Sequence, residues 1–269
     1  MFLVYVISPI FQSIWLSFFD WDGISETREF IGLGNYQELF QDDRFWTSLK
    51  NNILWLIFFM LAPVLGLALA LFLNQTVFGI RVIKSLFFFP FVISQVVVGL
   101  VFSWFYDPSF GLLNDFRGLF GLAPVNVLGD ENLATYGIIA AGLWPQIAYC
   151  MILYLTGLNN LNPDQLEAAR MDGAKGLKML WYIVLPQLRP ATFIAVVITV
   201  IGALRSFDLI AIMTGGGPWG SSNVLAHFMY QQSIGSYRAG YGAAIAVILF
   251  GIMLFYIAFF LWRMLRTEK

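Results

Sequence analysis

The sequence predicts an all-α, polytopic membrane protein with six transmembrane helices and a short cytoplasmic helix. Of its 269 residues, 59% are hydrophobic and only 12% are charged, about half the charged share of a soluble domain. The mean hydropathy is +0.75. The apolar residues also form runs of bilayer length, since a helix needs about 20 residues to cross the hydrocarbon core. Residues 1–269 are therefore expected to form a single transmembrane domain.

Six apolar runs are the predicted spans. Five of them lack Asp, Glu, Lys and Arg, and the remaining one contains only Arg205 and Asp208. No basic residue precedes the first run and no small-residue cleavage site follows it, so we do not expect a signal peptide. In chain order, the spans are residues 1–19, 53–73, 86–105, 134–158, 191–213 and 241–262.

The basic residues predict the orientation. If alternate connections are assigned to opposite sides, one side carries nine Lys and Arg residues and the other carries five. The side with more basic residues is expected to be cytoplasmic. Both termini and the connection 159–189 then lie in the cytoplasm, and the protein is a multi-pass protein of the bacterial inner (cytoplasmic) membrane.

Several kinds of chemistry are excluded by the motifs. The chain has no G-x-x-x-x-G-K-[ST] sequence, so we expect no ATP hydrolysis by this chain, no enzyme activity and no bound cofactor. One Cys and one His cannot provide the usual metal-ligand patterns, so no metal site is predicted. Residues 215–220 match G-x-G-x-x-G formally, but no strand precedes them, which favours a glycine-rich outer loop.

The connection 159–189 contains signals for a short helix. Asn162 can cap the helix, Pro163 fits its first position, and Gln165 could complete a capping box. Gly173 can supply a left-handed residue at the other end. The predicted helix has about ten residues. It would either enter a shallow groove of a protein partner or rest on lipid headgroups. The small side chains of its alanines favour the groove.

The same connection resembles a family signature. Glu167-Ala168-Ala169, three residues, Gly173, nine residues, Ile183, one residue and Leu185-Pro186 are similar to the EAA signature of permease subunits in bacterial binding-protein-dependent ABC importers. Four shorter segments resemble the carbohydrate-importing branch of that family. They are Leu16-Ser17-Phe18-Phe19, residues 30–36, Phe207-Asp208-Leu209-Ile210 and Thr214-Gly215-Gly216-Gly217-Pro218.

The resemblance implies a set of partners. It implies a second, homologous permease subunit, two ATPase subunits that use ATP, and an extracytoplasmic solute-binding protein that delivers a carbohydrate; no nucleic acid is expected. The implied ATPase-coupling residues are Glu167, Ala168, Ala169, Asp172, Gly173, Ile183, Leu185 and Pro186, with Glu167 as the main polar contact. Family members usually carry a basic lead before the first helix, so the span that starts at Met1 is expected to be incomplete.

Polar residues inside spans predict the substrate path. A charge at the centre of a lipid-facing helix costs about 2.5 to 3.5 kcal/mol, so Arg205 and Asp208 should not face lipid. They either line a cavity or form a structural ion pair three residues apart. The predicted lining residues are Thr199, Gly202, Arg205, Ser206 and Asp208, joined in the fourth span by Trp144, Gln146 and Tyr149.

Two other functions are compatible with the sequence. An ion-coupled secondary transporter would need acidic residues near the membrane midplane, and only Asp208 is available for that role. A structural membrane subunit would need no polar path. The sequence does not identify the carbohydrate.

Overall fold

Helices form nearly all of the computed structural model, which describes residues 1, 3–75 and 77–267. The only strands in that part of the chain are β1 (Phe19–Asp20) and β2 (Glu29–Phe30), which pair antiparallel. Wider π-helical turns occupy Leu3–Ile7, Leu180–Val184 and Gln231–Gly235. The α-helices are α1 (Ser8–Leu16), α2 (Gly34–Gln41), α3 (Asp43–Phe59), α4 (Leu61–Leu73), α5 (Ile80–Val92), α6 (Gln95–Phe105), α7 (Leu112–Leu119), α8 (Ala134–Asn159), α9 (Pro163–Met171), α10 (Leu177–Met179), α11 (Leu185–Gln187), α12 (Arg189–Leu204), α13 (Asp208–Met213), α14 (Leu225–Tyr230) and α15 (Ala239–Thr267).

The all-α membrane fold is confirmed, but the count of six full spans is not. Among the described residues, four helical segments are long and apolar enough to cross a membrane: Asp43–Leu73, Ala134–Asn159, Arg189–Met213 and Ala239–Phe260. A fifth is added if α5 and α6 count as one span, although they are bent by 97°. The remaining apolar helix, Leu3–Leu16, is shorter than a full span.

The first helix ends earlier than the predicted residue 19. Asn35 Nδ2 donates to the carbonyl oxygens of Ser17 and Phe19, both at 2.9 Å. Phe19 also pairs with Phe30 in the small sheet. These contacts engage the carbonyl groups of Ser17 and Phe19 outside the helix, which ends at Leu16, so hydropathy alone placed the end of this span too late.

The third span is broken where one straight helix over residues 86–105 was predicted. Pro90 lacks a backbone N–H, and Ile93 and Ser94 both adopt extended conformations. Ser94 then caps a new helix, because its side chain accepts a bond from Val97 N at 3.4 Å. The first half begins at Ile80, six residues before the predicted start.

Close approaches at glycines define the directions of the central helices. Gly66 on α4 lies against Cys150, and Gly142 lies against Trp55 and Phe59, so α3–α4 runs parallel to α8. Gly157, near the carboxyl end of α8, meets Leu188 and Ala191, whereas Gly142, in the first half of the helix, meets Leu209. The segment α12–α13 is therefore antiparallel to α8.

This arrangement gives the bundle two distinct ends. The α9 end carries the connection 160–188, and the loop end carries residues 19–42, 106–133 and 214–238. Small residues allow the helices to pack closely, as is usual where lipid offers no hydrophobic advantage to helix association. A Cβ atom at Gly66 would lie 2.6 Å from Cys150 Cβ, so any larger residue there would separate α4 from α8.

Candidate functional site

A cavity of about 290 Å³ lies at the middle of the membrane-length segments. Its walls come from α3, α8, α12–α13 and the first residue of α6. Its polar lining consists of Gln95, Gln146, Arg205, Ser206 and Asp208, and its aromatic lining of Trp55, Phe59 and Phe207. The structure therefore brings together, at one site, five of the eight residues that the sequence analysis proposed for the substrate path: Gln146, Gly202, Arg205, Ser206 and Asp208.

A break between α12 and α13 exposes part of this lining. Helix α12 ends at Leu204, and α13 begins at Asp208 after three non-helical residues, the first of which is Arg205. Ser206 therefore lies beyond the end of α12, not on its helical face as predicted. Its Oγ donates to Gly202 O at 3.1 Å, which satisfies a carbonyl group that the interrupted helix leaves free.

Arg205 and Asp208 do not form the ion pair that their spacing in the sequence left open. Within the described part of the chain, neither side chain has a salt-bridge partner within 4.0 Å or a hydrogen-bonding partner. Both side chains are exposed, and both line the cavity. Each charge is therefore available to a molecule in the cavity.

Gln146 is oriented by a buried neighbour. Its Nε2 donates to Thr199 Oγ1 at 2.9 Å, and the Cys150 thiol lies 3.6 Å from the same hydroxyl. Thr199 is fully buried behind Gln146, so its predicted place in the lining is not reproduced. The amide oxygen of Gln146 remains near Gly202, where it can accept a hydrogen bond from a ligand.

The two aromatic residues predicted for the fourth span lie outside the cavity. The Trp144 ring packs against Phe102 at 5.8 Å, and the Tyr149 ring packs against Phe91 at 4.9 Å. Both side chains face the broken span α5–α6. Gln95 and the aromatic wall of the cavity were not predicted. In a chain with 27 Phe, composition does not separate the wall residues from other packed rings.

Helix α9 begins and ends at the predicted residues. Asn162 Oδ1 accepts bonds from Asp164 N at 2.9 Å and Gln165 N at 3.4 Å. The reciprocal bond from Gln165 is absent, because Asn162 N donates to Gln187 Oε1 at 2.9 Å instead. At the other end Gly173 has φ +82°, as its left-handed role requires. The Gln187 bond ties the start of α9 to the segment that leads into α12.

The buried and exposed residues of α9 differ from those predicted. Ala169 is buried within this protein, so it cannot contact the groove of a partner. Glu167, Ala168 and Asp172 are exposed. Met171 is 89% exposed and was not predicted as a contact residue. Beyond the helix, Ile183 and Leu185 are half-buried, and Gly173 and Pro186 are exposed. The exposed face of α9 is thus acidic at Glu167 and apolar at Met171.

Comparisons with known proteins agree with this architecture. The family model described as binding-protein-dependent transport system inner membrane component matches residues 53–267. A probable ABC transporter permease of Bacillus subtilis is 36% identical over 260 residues, covering 94% of this chain and 88% of that protein. A trehalose/maltose transport system permease of Thermococcus litoralis is 31% identical over 254 residues, covering 94% and 85% respectively.

One solved structure shares the fold. It is a bacterial alginate ABC transporter in complex with an alginate pentasaccharide-bound periplasmic protein, and the TM-score is 0.84 at 22% identity. The match covers 96% of this chain and 88% of that chain.

Proposed function

Because the chain belongs to the family of inner membrane components of binding-protein-dependent transport systems, we propose that it forms one half of the path through which an ABC importer moves a carbohydrate. The observation that carries the proposal is the polar cavity at mid-span. The relatives include a trehalose/maltose permease and the fold neighbour belongs to an alginate importer, so a saccharide is the substrate class that best fits the lining.

The cavity offers the groups that a saccharide needs. Gln95, Gln146 and Ser206 can each donate and accept hydrogen bonds, while Arg205 only donates and Asp208 only accepts. Ring faces of Phe59 and Phe207 can pack against the C–H surfaces of a sugar. A second permease subunit would supply the opposite wall, which explains why charged residues are tolerated on an open side of this chain.

ATP is used by separate partner subunits in this proposal, because the chain has no P-loop sequence. Helix α9 would contact an ATPase subunit through the exposed Glu167 and Met171. The hydrogen bond from Asn162 N to Gln187 Oε1 connects the start of α9 to the segment before α12. Arg205 directly follows the other end of α12. Closure of the ATPase subunits would then move the residues that line the cavity.

We assign the α9 end and both termini to the cytoplasm, following the excess of Lys and Arg on that side. Single cysteines at Asp43 and Asp130 should react with an impermeant thiol reagent added outside intact cells, and a cysteine at Lys175 should not. The background is Cys150→Ala, which removes the only native thiol. Labelling of Lys175→Cys alone would reverse the orientation.

Transport by the purified importer tests the function itself. The full complex in proteoliposomes should take up a radiolabelled saccharide only with ATP and its solute-binding protein, and Gln146→Leu should reduce that uptake at least tenfold. Gln12→Leu is the matched control, because Gln12 is exposed on α1 and bonds only to Ser8 among the described residues. Uptake driven by an ion gradient without ATP would instead favour the secondary transporter. Equal uptake by both variants would remove Gln146 from the path.

A further inference from the structure

A second pocket, of about 480 Å³, opens at the loop end of the molecule. One wall is Pro218 and Trp219, from the glycine-rich loop that follows α13. The opposite wall is the segment 126–132, which precedes α8 and contributes the carboxylates of Asp130 and Glu131. The central cavity shares no residue with this pocket.

Trp219 is 97% exposed, although tryptophan is usually largely buried. The loop that carries it is anchored to α3, because Asn51 Nδ2 donates to Ser221 O at 2.6 Å and to Asn223 O at 2.8 Å. Ser221 N also donates to Pro218 O at 2.9 Å. The indole is therefore presented to the exterior from a fixed position, as exposed aromatic anchors of protein interfaces are.

The facing wall is also ordered by its own hydrogen bonds. Asp130 Oδ1 accepts from Asn132 N at 2.8 Å, and Asn126 Oδ1 accepts from Gly129 N at 3.0 Å. The Glu131 carboxylate has no salt-bridge or hydrogen-bonding partner within the described residues. No Lys or Arg is among the described residues that line this pocket. An aromatic face and an uncompensated negative charge therefore border the same space.

This combination suits a cationic side chain, since a guanidinium or ammonium group is attracted both to an indole face and to carboxylates. We propose that the pocket receives an Arg or Lys side chain of the solute-binding protein when that protein docks on the loop end. The proposal rests on the proposed function, which supplies the partner. It also fits the wider charge of this end, because residues 19–42, 106–133 and 214–238 carry ten Asp and Glu against three Lys and Arg. This excess of negative charge would steer a basic docking surface toward the pocket.

Binding measurements on the complete importer in lipid nanodiscs test the proposal. The dissociation constant of its purified solute-binding protein is measured for the wild type and for Glu131→Gln, Glu131→Lys and Trp219→Ala. We expect Glu131→Gln to weaken binding about threefold to tenfold in low salt, Glu131→Lys more, and Trp219→Ala about tenfold. Added NaCl should shrink the effect of the charge variants but not that of Trp219→Ala.

Asp43→Asn is the matched control, because Asp43 is an exposed carboxylate of the same end that lies outside the pocket. It should bind within twofold of the wild type. If the wild-type importer binds the solute-binding protein and all three pocket variants bind it equally well, the pocket assignment is overturned. The proposed function is not affected by that result. Failure of the wild type to bind any solute-binding protein would overturn both. Quenching of Trp219 by brominated lipid would place the indole in the membrane interface and also overturn the assignment.

Discussion

Replacing Arg205 and Asp208 by leucine, singly and together, tests whether these charges line a transport path or hold the protein together. A buried ion pair would give a characteristic pattern of stability losses among the single and double variants. Loss of one partner would cost about 3 to 5 kcal/mol of stability, because a charge would be left buried and unpaired. The double variant would then recover most of that loss.

The structure predicts a different pattern. Among the described residues neither side chain has a salt-bridge partner within 4.0 Å, and both side chains are exposed and line the cavity. We therefore expect a coupling free energy of at most about 0.5 kcal/mol in stability. In transport, each lost hydrogen bond from a charged group to the saccharide is worth about 1.5 to 3 kcal/mol. The double variant should accumulate normally and transport at least tenfold more slowly.

The assay combines two measurements on the same membranes. Permease abundance and thermal unfolding in detergent report stability, and ATP-dependent saccharide uptake reports transport, for the wild type, both single variants and the double variant. If Arg205→Leu is unstable and the added change Asp208→Leu restores stability, the two residues form a structural pair. That result would refute the assignment of both charges to the lining of the path. Full uptake by the double variant would exclude both residues from the path.

Three further predictions concern other parts of the molecule. Gly142→Val should reduce uptake severalfold and destabilise the protein by about 1 to 3 kcal/mol, because a Cβ there would lie 3.1 Å from Trp55 Cζ3; transport and thermal unfolding measure the two effects. Asn162→Ala should destabilise α9 by about 1 kcal/mol and weaken binding of the ATPase subunits in a pull-down, with membrane abundance unchanged. His227→Gln should flatten the pH dependence of stability, because burial lowers the His227 pKa from its ordinary 6.5. The unfolded chain takes up the proton more readily, so wild-type stability should fall as the pH drops below 6.5.

Each of these predictions has a result that would contradict it. Normal uptake by Gly142→Val would mean that α8 can move away from α3 without cost. Wild-type ATPase binding by Asn162→Ala would separate the α9 cap from coupling. If thermal unfolding of the wild type and of His227→Gln changed equally between pH 7 and pH 5, another group would carry the pH dependence.

Hydropathy located the spans well where no local backbone signal interrupts them. Helix α8 was predicted at 134–158 and is observed at Ala134–Asn159, because polar residues flank an uninterrupted apolar run. The same reasoning failed for α5–α6, since a run of apolar residues does not reveal a bend. Pro90 and Ser94 were readable signals for that break, whereas the short helix α14 depends on tertiary packing of Leu225 and Phe228 that no sequence period indicates.

The polar part of the site was predictable for a physical reason. A polar residue inside a span must find a polar environment, so Gln146, Arg205 and Asp208 could be assigned to a common interior before their positions were known. No such constraint applies to aromatic residues, which are equally stable in lipid, in a packed core or in a cavity wall. Trp144 therefore lies outside the cavity although the prediction included it in the lining, and the place of Trp55 in the cavity wall was not foreseen.

The broken helices and the cavity are two aspects of one physical requirement. Inside a bilayer, non-helical backbone is tolerated only where protein or water satisfies its polar groups, because lipid offers no hydrogen bonds. The chain breaks at Ile93–Ser94 and at 205–207, and residues next to or within both breaks line the same cavity: Gln95 in the first case and Arg205 to Asp208 in the second. The interruptions would therefore be costly facing lipid but are tolerated beside a polar cavity. In the proposed function both interruptions lie beside the substrate path, where movement of α12 would open or close it.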